Sequence, residues 1–199
     1  MVRIFSGLAA LAIGLLAANF VVGLAIGEFN RSYREALAAL DEVSRLRKQK
    51  DVDLAAKDQA EAKYAAATAE LAGPYSRKHL HMWLGLLGGL VTLLASSVTV
   101  TYFIGTSRWC REVCETYRLS SELIERSQRL KRSAFPWAVA SMLIVIVMAG
   151  LGAAADPSAN ANASTYSISF VQPHYIAAML GLLLIGWSFW MQYSCIAEN

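Results

Sequence analysis

Residues 80–107, LHMWLGLLGGLVTLLASSVTVTYFIGTS, decide the fold: twenty-eight residues without one Asp, Glu, Lys or Arg. About twenty apolar residues cross a hydrocarbon core, and a lone segment satisfies its backbone there only as a helix. Residues 80–107 therefore read as a membrane helix. Stepping along it by fours and threes gives His81, Gly85, Gly89, Thr92, Ser96 and Thr99, so the smallest and most polar side chains share one face. In lipid, such a face packs against another helix.

Three further stretches have the same character. Residues 4–27 follow Arg3 without a charge. Ala25 and Gly27 ahead of Glu28 raise the alternative of a cleaved signal peptide, but the run exceeds the ~7–15 apolar residues of such peptides. An uncleaved anchor over 1–27 is the reading adopted. Residues 133–155 form a third span, entered through Phe135-Pro136-Trp137, where Pro suits a first helical turn and Trp an interface. A loop over 156–173 contains no Lys or Arg, and residues 174–199 form a fourth span and tail. The expectation is an all-α membrane protein, a four-helix bundle in the lipid bilayer. Gly23 and Gly27, spaced as GxxxG, and the ridge Gly7, Ala10, Gly14 and Ala17 offer faces for homo- or hetero-oligomers.

Residues 28–79 differ sharply. From Glu28 to Ala72 there is no Gly or Pro, and helix formers dominate. One helix of that length would rise roughly 67 Å. The return path, residues 73–79, reaches only about 24 Å. An extramembrane helical hairpin with its turn near residues 50–53 resolves the conflict; a helix lying flat on the membrane is the alternative. Phe29, Tyr33, Ala36, Leu40 and Val43 form the expected seam of the first arm. The second arm offers Leu54, Ala55, Ala62, Ala65, Ala66, Ala69 and Ala72 for close approach, and Gly73-Pro74 should end it.

Residues 108–132 carry seven Lys or Arg against four Glu, with apolar Trp109, Val113, Tyr117, Ile124 and Leu130 interleaved. This reads as a basic amphipathic helix on the membrane surface, with a break available at Ser120-Ser121. The segment accounts for the whole formal net charge of +3 (seven minus four), which gives nucleic-acid binding no support. With 56% hydrophobic residues and a mean hydropathy of +0.40, the chain is too apolar for an ordinary soluble domain. Cys110, Cys114 and Cys195 contain no CxxC pair and suggest neither a disulfide framework nor a structural zinc site. The basic segment and both termini are expected in the cytoplasm of a bacterial inner membrane, leaving the hairpin periplasmic.

Any chemistry must be sought at the histidines. His81 and His174 each fall in the first turn of a span running in the same direction. Gly85, Gly89 and Gly181 would leave room beside them, so the pair qualifies as axial ligands of a haem b in an electron-transfer subunit. His79, His81, Met82 and His174 form an alternative copper-binding set, provided the helix begins after His79 or unwinds there. The third reading has no cofactor: a non-catalytic structural or assembly subunit with interfacial histidines. No span contains Asp, Glu, Lys or Arg, so an ion-coupled carrier has no charged relay. GxSxG, phosphate-loop and HExxH motifs are absent, which favours a complex subunit over a stand-alone catalyst.

Overall fold

The computed structural model describes residues 1–49, 53–159 and 166–199. Among them are five helices and no strand: α1 (Val2–Leu24), α2 (Phe29–Lys48), α3 (Leu54–Tyr117), α4 (Ser121–Ala155) and α5 (Tyr166–Glu198). Four of the five, all but α2, are long and apolar enough to cross a membrane. They close into a ring in which α1 packs on α3, α3 on α4, α4 on α5, and α5 back on α1. The remaining helix, α2, packs along α3. The turn expected near 50–53 lies mainly outside the described residues.

Several expected boundaries move. α3 does not stop at Gly73-Pro74 but runs through Pro74 as one helix of 64 residues, about 96 Å long at 1.5 Å per residue. The usual clash of a proline ring with the preceding residue is relieved because Gly73 has no Cβ. Its neighbours are also exposed enough for the displaced carbonyl to find water. Residues 108–132 are likewise not a separate surface helix. The first half prolongs α3 and the second half opens α4, since a charged side chain is no helix breaker. The break falls where Arg118 turns left-handed at φ 54° and Ser120 caps α4 by accepting a hydrogen bond from the Glu122 amide. α5 starts at Tyr166 and carries Pro173 within it, so His174 sits in its third turn, not its first.

The packing faces of α2 and α3 also differ from expectation. Phe29, Ser32, Ala36, Ala39 and Val43 are the buried positions of α2, while Leu40 remains 40% exposed. Small Ser32 and Ala39 let α2 approach α3 closely and push Tyr33 and Leu40 to the flank. On α3 the contact side includes Ala60; Leu54, Ala55, Ala62, Ala65, Ala66, Ala69 and Ala72 face outward. Lys63 to Glu42 (2.8 Å) and Arg47 to Glu61 (2.9 Å) pair the two helices at the surface, a small contribution for exposed ions. Gly27 lies beyond α1 at φ +77°, so Gly23 and Gly27 do not form a helical GxxxG.

The base of α2 is fastened to the bundle. Lys78 of α3 pairs with Asp156 at 2.7 Å, donates to the Ser158 hydroxyl at 2.6 Å and lies 5.1 Å from the centre of the Phe29 ring. The Asn30 amide reaches the Ala155 carbonyl, and Phe29 leans on Tyr75. Burial works to raise the pKa of Asp156, but hydrogen bonds from Lys78 and Ser158 outweigh it and hold the carboxyl below its ordinary value. A depressed carboxylate stabilises above its unfolded pKa, about 3.9, and that contribution disappears as pH falls through the folded value. Lys78→Met should therefore cost about 1.5–3 kcal/mol at neutral pH. Thermal unfolding in detergent should show the gap to wild type closing below about pH 4; a gap independent of pH would place the loss elsewhere.

Candidate functional site

His81 on α3 and His174 on α5 meet at one end of the ring, with centroids 6.1 Å apart and planes at 83°. The two neighbouring helices supply glycines at the same level. A Cβ at Gly23 of α1 would stand 2.9 Å from His81 Cε1, and one at Gly152 of α4 would stand 3.1 Å from His174 Cε1. Each imidazole is thus seated on the bare backbone of an adjacent helix. The seat at Gly23 has a second effect. It lets His81 Nδ1 reach the Asn19 main-chain carbonyl at 3.0 Å, one turn earlier in α1. A carbonyl only accepts, so Nδ1 carries the proton and a neutral His81 keeps its lone pair on Nε2. Sequence reasoning found both histidines but not their seats. In the sequence Gly23 reads as a helix-pairing residue, and Gly152 lies in the bland run AGLGAAA.

The glycines expected to leave space do not leave it. A Cβ at Gly85 would meet the Asn19 amide at 3.1 Å, and one at Gly89 would meet Val145 Cγ1 at 3.0 Å. The Gly181 notch is occupied by the Met148 sulfur. A metal–imidazole bond of about 2 Å on each side would suit the ring spacing. The flat macrocycle of a haem would need the space expected beside Gly85, Gly89 and Gly181, and there Asn19, Val145 and Met148 stand. The residues as arranged do not fit a haem.

The copper set fares no better. α3 is continuous through residues 75–82, so His79 projects about 200° round the helix from His81. It rests instead on Tyr75, centroids 4.5 Å apart, and Met82 is 45% exposed. Among the described residues, no three of His, Cys, Asp and Glu come together as metal ligands.

Beyond the histidines a column of polar groups follows the bundle interior. The Ser96 and Ser141 hydroxyls pair at 2.8 Å between α3 and α4, while Thr92 and Thr99 donate to carbonyls one turn back, Gly88 and Ala95. These groups are satisfied; others are not. Asn19 Oδ1, His174 Nδ1, Ser188 Oγ and both amide atoms of Gln192 are buried with no hydrogen-bond partner among the described residues. Ser188 and Gln192 stand one turn apart on α5, and Gln192 is 0% exposed. Buried polar groups normally find partners, and the desolvation cost of an orphan is about 1–3 kcal/mol.

Two outcomes follow from this geometry. Gln192→Met keeps the shape and removes the orphan amide, so its thermal midpoint in detergent should equal or exceed that of wild type, by up to about 3 kcal/mol in stability. A marked drop would mean that the amide has a partner such as an ordered water. A dithionite-reduced minus oxidised spectrum of protein made with haem available should lack a b-type α-band; a sharp band with one iron per chain would show that the bundle does admit the macrocycle. The chain matches no protein family, no curated protein and no solved structure.

Proposed function

We propose that the protein is a non-catalytic assembly subunit: a membrane-anchored bundle that holds an extramembrane helical hairpin for docking to other subunits. The observation that supports it is where small residues go unused. Several close approaches between helices among the described residues are made at glycine or serine, as at Gly23, Gly88, Gly89, Ser96 and Ser141. Two small-residue faces have no such partner among the described residues. On α1, a Cβ at Gly7 or Gly14 would meet nothing within 4 Å, and Ala10 is exposed between them. On the first part of α3, the face of Ala55, Ala62, Ala65, Ala66, Ala69 and Ala72 is exposed. Backbones that can come close without losing side-chain entropy are what helix association in a membrane uses.

On this reading the α1 ridge meets another helix within the bilayer and the alanine face meets one outside it. The fastening of α2 through Lys78, Asp156 and Asn30 keeps the hairpin in a fixed attitude to the bundle. The histidine pair serves packing, each imidazole seated on a glycine. The expected topology, with the hairpin on the periplasmic side, belongs to this proposal.

Native gels of gently solubilised membranes test it. The wild-type chain should migrate as a complex well above its 21.7 kDa mass. Gly14→Leu and Ala66→Glu should each shift it towards the monomer while leaving the helical circular-dichroism signal intact. A monomeric wild type, with no stoichiometric co-purifying subunit, would overturn the proposal.

A further inference from the structure

We propose that the cleft at the end of the ring remote from the histidines is a seat for the headgroup of a zwitterionic phospholipid whose cation is a primary ammonium. The cleft has a volume of about 460 Å³ and lies between α3, α4 and the end of α5. Its depth in the molecule is informative. Tyr102 and Thr106, in its wall, belong to the last turns of the uncharged run, and Arg108 is the first charge beyond it. The cleft therefore straddles the level at which hydrocarbon gives way to headgroups. Leu130 lines it on the apolar side, and Trp109, 65% exposed, stands at its rim where interfacial aromatics collect. An occupant must be apolar at one end and charged at the other.

The charged end is specified by Arg126 and Glu198, which both line the cleft. They approach to 3.6 Å, against 2.7–2.9 Å for the other ion pairs, and each is more than half exposed. This loosely closed pair offers one cation and one carboxylate side by side. A phosphate matches the guanidinium fork, and an ammonium with N–H donors matches the carboxylate. Phosphatidylethanolamine carries both. Phosphatidylglycerol lacks the cation and would be repelled by Glu198; phosphatidylcholine lacks the N–H donors. The acyl chains would run from the cleft along the bundle towards the hydrocarbon level of Tyr102 and Leu130.

Native mass spectrometry of the full chain, released from micelles containing the three lipids with matched acyl chains, tests the seat. One phosphatidylethanolamine per chain should be retained at least about fivefold over either competitor. Arg126→Gln and Glu198→Gln should each remove that preference, whereas Arg129→Gln, on the neighbouring surface of α4, should leave it. Preferential retention of phosphatidylglycerol, strengthened by Glu198→Gln, would overturn the proposal in favour of simple anionic attraction. Equal retention of the three lipids, or an effect of Arg129→Gln as large as that of Arg126→Gln, would overturn it as well. Displacement by soluble phosphoethanolamine at the lipid's own concentration would show that the headgroup alone binds, and would equally sink the lipid assignment.

Discussion

Close approach of helix backbones is the constraint on which the rest of this structure depends. Lipid tails are as apolar as leucine, so burying leucine between membrane helices gains little. Packing contacts and hydrogen bonds must hold the ring together, and both require backbones near one another. Leu183, Leu90, Ile146 and Ile4 are left on the outside, while Ala95, Ala134, Ala138, Ser96, Ser141 and Thr99 go to the centre. Phe5, Phe103 and Ile185 share that interior, each 0% exposed.

The same constraint explains the histidine end. The two imidazoles meet where four helices come together, and they are accommodated because a glycine stands opposite each ring. The arrangement is specific in a way that a stripe of small residues is not, since His81 can reach a main-chain carbonyl only over a residue without a side chain. Polar groups deeper in the ring are less well provided for. Ser188 and Gln192 bring donors and acceptors into a region whose other hydroxyls are already satisfied by their own helices.

Hydropathy made the four apolar helices legible, because length and absence of charge are properties of one segment read by itself. The inward face of α3 was legible for the same reason, as helical spacing puts Gly89, Thr92, Ser96 and Thr99 on one side whatever lies opposite. Features that depend on a second segment were not. Which side of α2 is buried depends on the alanine surface it meets, so Leu40 lost its place to Ala39. Helix ends were misplaced where composition changed without a breaker, at residues 107–108 and 132–133, and where a proline followed a glycine. The seats at Gly23 and Gly152 and the filling of Gly85, Gly89 and Gly181 depend on how α1, α4 and α5 align with α3. No single-segment periodicity carries that information.

α3 links parts of the molecule that would otherwise be mechanically separate. It touches α2 at one end, carries Lys78 and His81 in its middle and lines the Arg126 cleft at the other. A rod of this kind works as a lever. Tilting a helix about 96 Å long by roughly 5° carries one end about 8 Å relative to the other. Pro74, four residues before Lys78, lacks the backbone donor of an ordinary helical residue and is where kinks in a long helix arise. Any bend at Pro74 would thus turn the outer arm, with the face that α2 packs on, about a point one turn away from the Lys78–Asp156 contact.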